Sequence, residues 1–255
     1  NLQYSNPAAR IKQLDEIPSP YISGMMDKFF DGKLIPMLQT NRGCPFSCTF
    51  CTDGRSDVNK VNFFGIERLK RELDYIESNI PESTHNLYIS DLNFGMYEHD
   101  LEISRYIREL QTKSHWPKRI IASTGKNRKE RVIEAIKILG GSLLLSMSVQ
   151  SLDENVLTNV KRDNISTETM MSLAPVISQS NLSTFSEVIV GLPGESYQSH
   201  LNTVKSLVNA KIDFVDIDSQ TWNISLNKLE DALKGDSGTI ITKDRLMKIH
   251  EYQGK

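Results

Sequence analysis

Six short apolar runs, separated by longer amphipathic stretches, constrain this chain more than any other feature. The runs are LIPMLQT (Leu34 to Thr40), NLYISD (Asn86 to Asp91), RIIAST (Arg119 to Thr124), LLLSMSVQ (Leu143 to Gln150), STFSEVIV (Ser183 to Val190) and FVDIDSQ (Phe214 to Gln220). Their length and their β-branched and aromatic content predict strands. Between them, helical periodicity starts at Ile66, His99, Arg128, Thr167 and His200, with Pro175 set to kink or shorten the fourth helix. Regular alternation of strand and helix requires a parallel sheet with right-handed crossovers. The expected fold is therefore α/β, with parallel strands either rolled into a partial (β/α)6 TIM-like barrel or left as an open sheet, and the barrel is the form adopted as the expectation. In such folds the chemistry gathers at the carboxyl ends of the strands.

The barrel is expected to span residues 33–222. Residues 1–32 read as a lead-in or linker, because IPSPYISG places two X-Pro steps close together and these disfavour helix. Residues 223–255 read as a helical or irregular tail. At 255 residues the chain is long enough to bury one sizeable core. Lys and Arg number 30 against 32 Asp and Glu, with no basic run, so no nucleic-acid partner is indicated. No segment approaches the roughly 20 apolar residues that would cross a bilayer. The chain starts without Met or a signal-peptide pattern, so it is expected to begin inside a longer gene product.

All three cysteines fall within NRGCPFSCTFC, as Cys44, Cys48 and Cys51. An odd, clustered set is not a disulfide framework and fits a reducing, cytoplasmic compartment. A structural zinc site wants four ligands, and no second Cys or His pair stands at ligand spacing. A redox C-x-x-C pair would leave Cys44 unexplained. A [4Fe-4S] cluster normally takes four thiolates, so three would leave one iron open to a substrate or cofactor. Gly43 and Pro45 suit a loop that wraps its backbone around such a group.

The spacing Cys44-x-x-x-Cys48-x-x-Cys51, with Phe50 before the last cysteine, resembles the signature of the radical S-adenosylmethionine (radical SAM) superfamily. The wider stretch from IPSPYISG to CTDG is similar to the subgroup that carries a cobalamin-binding domain ahead of the radical domain. The resemblance implies a [4Fe-4S] cluster on Cys44, Cys48 and Cys51. The fourth iron would be chelated by SAM, and reductive cleavage would give a 5′-deoxyadenosyl radical. It implies Phe50 near the adenine, and Ser90, Asp91 and Asn93 of SDLNFG at the place that receives the SAM amino group. The usual paired glycines are absent there, and Asp, Asn and Gly equally suit a turn. In SVQSLDENVLTNVKR, Ser148 and Gln150 would approach the ribose and Arg162 would hold the carboxylate through its planar fork. In SEVIVGLPGES, Glu187 would make a polar contact, while Ile189 and Gly191 would face the adenine. After the third expected strand, Ser123 and Lys126 of ASTGKN lie at the carboxyl face, where a cation could meet a carboxylate and a solvated lysine is at least as good a reading.

No Ser, His and Asp arrangement supports acyl hydrolysis, and no catalytic residue beyond the cluster ligands is indicated. The function implied is a radical SAM enzyme. The full-length protein would be a cobalamin-dependent methyltransferase on a small molecule, with cobalamin held by an upstream domain. Its electron donor would be a reductase or a protein of the flavodoxin or ferredoxin type. The rivals are a cobalamin-free oxidoreductase or methylthiotransferase, and a non-catalytic iron-sulfur or zinc scaffold.

Overall fold

A computed structural model describes residues 10–55, 59–146, 148–164 and 184–219. The helix expected from Thr167 and the tail expected over residues 223–255 lie outside the described residues. Strand β1 (Met37–Leu38) is joined in parallel by β4 (Asn86–Phe94), and β4 by β5 (Arg119–Thr124). A second parallel set runs in the order β6 (Leu145–Ser146), β7 (Thr184–Val190), β8 (Phe214–Ser219). A parallel bridge between Ile120 and Leu143 links the sets, so the six expected strands lie side by side in chain order. The antiparallel ribbon of β2 (Asn41–Arg42) and β3 (Asn62–Phe63) frames the base of the cysteine loop.

Alternation decides which face of the sheet is covered. Leu38, Leu87, Ile89 and Ile120 are buried under three helices: α1 (Ile66–Asn79), α2 (Glu98–Ser114) and α3 (Lys129–Ile138). The helices meet them with Leu69, Leu73 and Ile76, then Ile103 and Ile107, then Val132 and Ile136, at the three- and four-residue spacing of one helical face. Each such side chain removed from water contributes about 1.5 to 3 kcal/mol. On the opposite face Met37, Tyr88 and Ile121, partners in register across three strands, are exposed. The covered face fixes the register, and the open face leaves room at the strand ends. Two further helices, α4 (Glu154–Asn159) and α5 (Tyr197–Asn209), complete the described elements. No helix among the described residues is long and apolar enough to cross a membrane.

Four segments differ from the pattern-based expectation. SDLNFG does not turn after Asp91, because β4 continues to Phe94 through a register shift between Ile89 and Phe94. The first and fourth expected strands contract to Met37–Leu38 and Leu145–Ser146, while the outer residues Leu143 and Gln150 keep single bridges. The lead-in is tied to the barrel rather than loose over its described part. Leu14 and Tyr21 enter the same core, and the Tyr21 hydroxyl donates to the Met37 carbonyl at 2.7 Å. Arg68 of α1, buried and ion-paired with Glu72 at 3.1 Å, donates to the Leu14 carbonyl at 3.1 Å. These are contacts between residues 16 and 54 positions apart, which local periodicity does not express.

Candidate active site

The cysteine loop leaves β2 at the carboxyl end of β1. Gly43 adopts φ +111°, and a Cβ there would lie 2.3 Å from the Lys60 carbonyl, just ahead of β3, so only glycine lets the two backbones approach this closely. The loop closes with a short 3-10 turn at Thr52–Gly54. Cys51 N–H donates to the Cys48 carbonyl at 3.1 Å, and a Cβ at Gly54 would lie 2.4 Å from the same oxygen. All three cysteines are free thiols, Cys44 and Cys48 buried and Cys51 half-buried.

A cleft of about 180 Å3 opens beside this loop, over the ends of the strands. Of the expected site residues, Cys44, Cys51, Phe50, Ser148, Gln150, Arg162 and Glu187 line it. Phe50 packs on one side against the Ile189, Val156, Val160 and Leu192 cluster and lies 5.9 Å from the Arg162 guanidinium. Ile189 thus sits behind Phe50, away from the cleft wall. Gly191, at φ +81°, gives its N–H to Glu195 at 2.7 Å and is also outside the lining.

Gln150 takes a left-handed conformation at φ +65°, uncommon for a residue other than glycine. Its backbone stays bonded to Glu187 and Ile189 of β7, which holds the bend in place. Its amide group approaches Glu187 Oε2 at 3.5 Å, and its Oε1 is buried without a partner among the described residues. Arg162 donates to the Ser148 carbonyl and, at 2.7 Å, to Asn164 Oδ1. Asn164 in turn spans the Val149 and Ser151 carbonyls at 2.6 and 2.8 Å, which ties the end of β6 to the turn after α4. Burial pushes the Arg162 guanidinium down from its ordinary range, and the nearby Cys48, Glu187 and Cys51 oppose that shift.

SDLNFG is divided between two tasks. Ser90 points to the Leu38 carbonyl at 3.4 Å, outside the cleft lining. The buried Asp91 carboxylate accepts the backbone N–H groups of Thr40 at 2.8 Å and Asn41 at 3.3 Å, the Thr40 hydroxyl, and the Asn41 amide at 2.9 Å. It therefore clamps the entry to the cysteine loop. Asn93 gives its amide to Cys44 Sγ at 3.3 Å, while its Oδ1 is buried and unpartnered among the described residues.

Two lysines complete the cleft, Lys126 at an expected strand end and Lys129, which no sequence signal singled out. Lys126 reaches Cys48 Sγ at 3.3 Å. Lys129 is buried and donates to the Gly125 and Ser146 carbonyls at 2.7 and 3.0 Å, bridging the ends of β5 and β6. Burial, with Arg162 nearby, pushes its ammonium from the ordinary 10.5 down to about 7. A depressed pKa makes folding release a proton. The stability it contributes is complete above the unfolded value and is lost as pH falls through the folded one. Urea melts at pH 7 and 9.5 should show the wild type gaining up to about 3 kcal/mol over Lys129→Met across that interval. Equal gains in both proteins would mean that Lys129 titrates as if in water.

Among the described residues no three His, Cys, Asp or Glu side chains stand close enough to hold a single metal ion. The three thiols come from one loop, as suits ligands that each serve a different iron of a cluster. Residues 38–207 match the Radical SAM superfamily. The chain belongs to the radical SAM superfamily. The radical SAM family implies a [4Fe-4S] cluster and SAM as cofactors. The orphaned buried acceptors Gln150 Oε1, on a lining residue of the cleft, and Asn93 Oδ1, on the side chain that bonds Cys44, fit a ligand that brings donors to the thiols.

Two relatives support the same placement. The 2-(S-pantetheinyl)-carbapenam-3-carboxylate methyltransferase of Streptantibioticus cattleyicolor is 35% identical over 213 residues, covering 80% of this chain and 31% of that protein. The cobalamin-dependent radical SAM methyltransferase TokK of Streptomyces tokunonensis is 32% identical over 212 residues, with the same shares of 80% and 31%. The chain thus spans about a third of the length of these relatives. Among solved structures, the radical SAM methyltransferase TsrM of Kitasatospora setae superposes with a TM-score of 0.61 at 12% identity, over 75% of this chain and 36% of that one. That likeness is one of fold, and it agrees with the parallel α/β barrel expected from the strand order.

Proposed function

We propose that Cys44, Cys48 and Cys51 each hold one iron of the [4Fe-4S] cluster and that the open iron takes SAM in the adjoining cleft. The observation that carries this reading is the gathering of Cys44 and Cys51 with Phe50, Ser148, Gln150, Arg162 and Glu187 around one cleft at the strand ends, with Cys48 reached by the lining residue Lys126. When bound, the cluster supplies the electron that splits the SAM sulfonium and yields the 5′-deoxyadenosyl radical. The chain's own residues bind and orient. Arg162 offers a guanidinium for the SAM carboxylate from the cleft lining, and Asn93 Oδ1, outside the lining but beside Cys44, a buried acceptor for its amino group. Gln150 and Ser148 face the ribose, with Phe50 and, behind it, Ile189 forming the apolar side for the adenine. Glu187 orients Gln150, whereas Ser90, Asp91 and Gly191 shape the walls from outside the lining.

The larger protein is read as a cobalamin-dependent methyltransferase acting on a small molecule, because two relatives carry methyltransferase names and one is described as cobalamin-dependent. Residues 33–222 are its radical barrel, with 1–32 as lead-in and 223–255 as tail, and cobalamin belongs to a further domain. A low-potential reductase, flavodoxin or ferredoxin delivers the electron, in the reducing cytoplasm that three free thiols favour. The test is anaerobic reconstitution with iron and sulfide, followed by reduction with SAM present. Formation of 5′-deoxyadenosine with methionine supports the reading. A loaded cluster that binds SAM but never yields the nucleoside, in the full gene product as well, supports a non-catalytic iron-sulfur scaffold.

A further inference from the structure

Lys126 belongs to the loop after β5, 78 positions from the cysteine it meets. It does not extend into solvent. Its Nζ lies 3.3 Å from Cys48 Sγ and 4.9 Å from the centroid of the Phe46 ring, so two residues of the cysteine loop seat one ammonium. Lys129, one helical turn on, spends its donors on the Gly125 and Ser146 carbonyls and makes no recorded hydrogen bond to sulfur. Two other groups approach the thiols among the described residues: the neutral Asn93 amide, 3.3 Å from Cys44 Sγ, and the Arg162 guanidinium, which interacts with Cys48 while donating to the Ser148 carbonyl and Asn164 Oδ1. Cys48 therefore has two cations beside it, and Lys126 is the one whose ammonium lies 3.3 Å from its sulfur.

We propose that Lys126 is a positioning residue that sets the reduction potential of the cluster through Cys48. The proposal rests on the reading that the three cysteines hold a [4Fe-4S] cluster. Reduction transfers one electron from a low-potential reductant to the cluster, and no proton or bond changes place. With three thiolate ligands, the cluster passes from a net monoanion to a dianion. An ammonium at hydrogen-bond distance from a ligand sulfur stabilises the dianion more than the monoanion, so it raises the potential and eases electron entry. Phe46 makes this possible by holding the ammonium against the sulfur. A lysine free to sample solvent would be screened and contribute little.

The experiment is an EPR-monitored redox titration of the reconstituted 255-residue protein without SAM, using dithionite as reductant. Lys126→Met keeps the aliphatic stem over Phe46 and removes the charge. It is expected to lower the equilibrium constant for one-electron reduction at least tenfold, a shift of about 59 mV to more negative potential. Lys126→Arg should stay near the wild type, and Phe46→Leu, which unseats the ammonium, should fall between the two. If Lys126→Met loads less iron, its midpoint still comes from the loaded fraction, because the signal counts only reduced cluster. A loaded Lys126→Met with the wild-type midpoint overturns the proposal alone. So does an equal shift in Lys126→Arg and Lys126→Met, which would mark a packing role. A wild-type protein that takes up no cluster overturns the underlying reading together with the proposal, and the iron count reveals this before any titration.

Discussion

Replacing Cys48 with alanine is expected to remove 5′-deoxyadenosine formation altogether, the largest single effect open to this chain. Changes in groups that merely surround a metal centre cost about 10- to 100-fold, and loss of a ligand should exceed that. Cys48 is 2% exposed and stands at the tightest point of its loop, where the Cys51 N–H and the Gly54 backbone both press on its carbonyl. Alanine keeps that backbone and removes only the sulfur, so the fold should survive. The Lys126 ammonium would then lose its sulfur partner. Iron content and product are to be measured together, by colorimetric iron assay and mass spectrometry. Wild-type product from Cys48→Ala would show that this thiol is not a ligand.

The second large effect is expected at Asp91, and it is one of stability before activity. Its carboxylate receives four donors from Thr40 and Asn41, and alanine would leave them buried and unpaired. Stranding one side of such a buried network costs about 3 to 5 kcal/mol. Burial raises the Asp91 pKa to about 7, against the pull of the Thr40 and Asn41 donors. A raised carboxylate contributes stability that is present at low pH and fades as pH rises from its unfolded value toward 7. Asp91→Asn should cost less than alanine. One amide oxygen can still accept the Thr40 and Asn41 N–H groups, though its NH2 would oppose the Asn41 amide. Urea denaturation of the apo proteins ranks the variants as wild type, Asp91→Asn, Asp91→Ala. Since Asn41 opens the cysteine loop, iron uptake should fall in the same order. An alanine variant as stable as the wild type would contradict the clamp.

Apolar periodicity was enough to read the strand-helix order, because burial under helices imposes it residue by residue. RIIAST matches β5 from Arg119 to Thr124, and the helix expected from Ile66 starts there. Spacing was enough for the cysteines, since a loop wrapped around a cluster must bring its ligands from one short segment. Positions decided by closure of the sheet were not legible in this way. Asp91 looks like a strand-end ligand in sequence, yet the register shift within β4 sets it against Thr40 and Asn41. Lys126 and Lys129 are three residues apart and alike in type. One meets Cys48 and Phe46, the other two strand-end carbonyls, and only the packing of α3 against β5 and β6 separates their roles. Arg162 was legible by resemblance, but its mooring through Asn164 to Val149 and Ser151 was not, because those carbonyls are brought together only by the left-handed bend at Gln150 between them.

The central claim is that three cysteines leave one iron open and that SAM fills it. EPR of the reduced, reconstituted protein with and without SAM tests this most directly, because binding at an iron alters the spectrum before any chemistry occurs. The account predicts about four irons per chain and a reduced-cluster signal that changes on adding SAM. A signal identical with and without saturating SAM, in a protein shown to hold a full cluster, would contradict it.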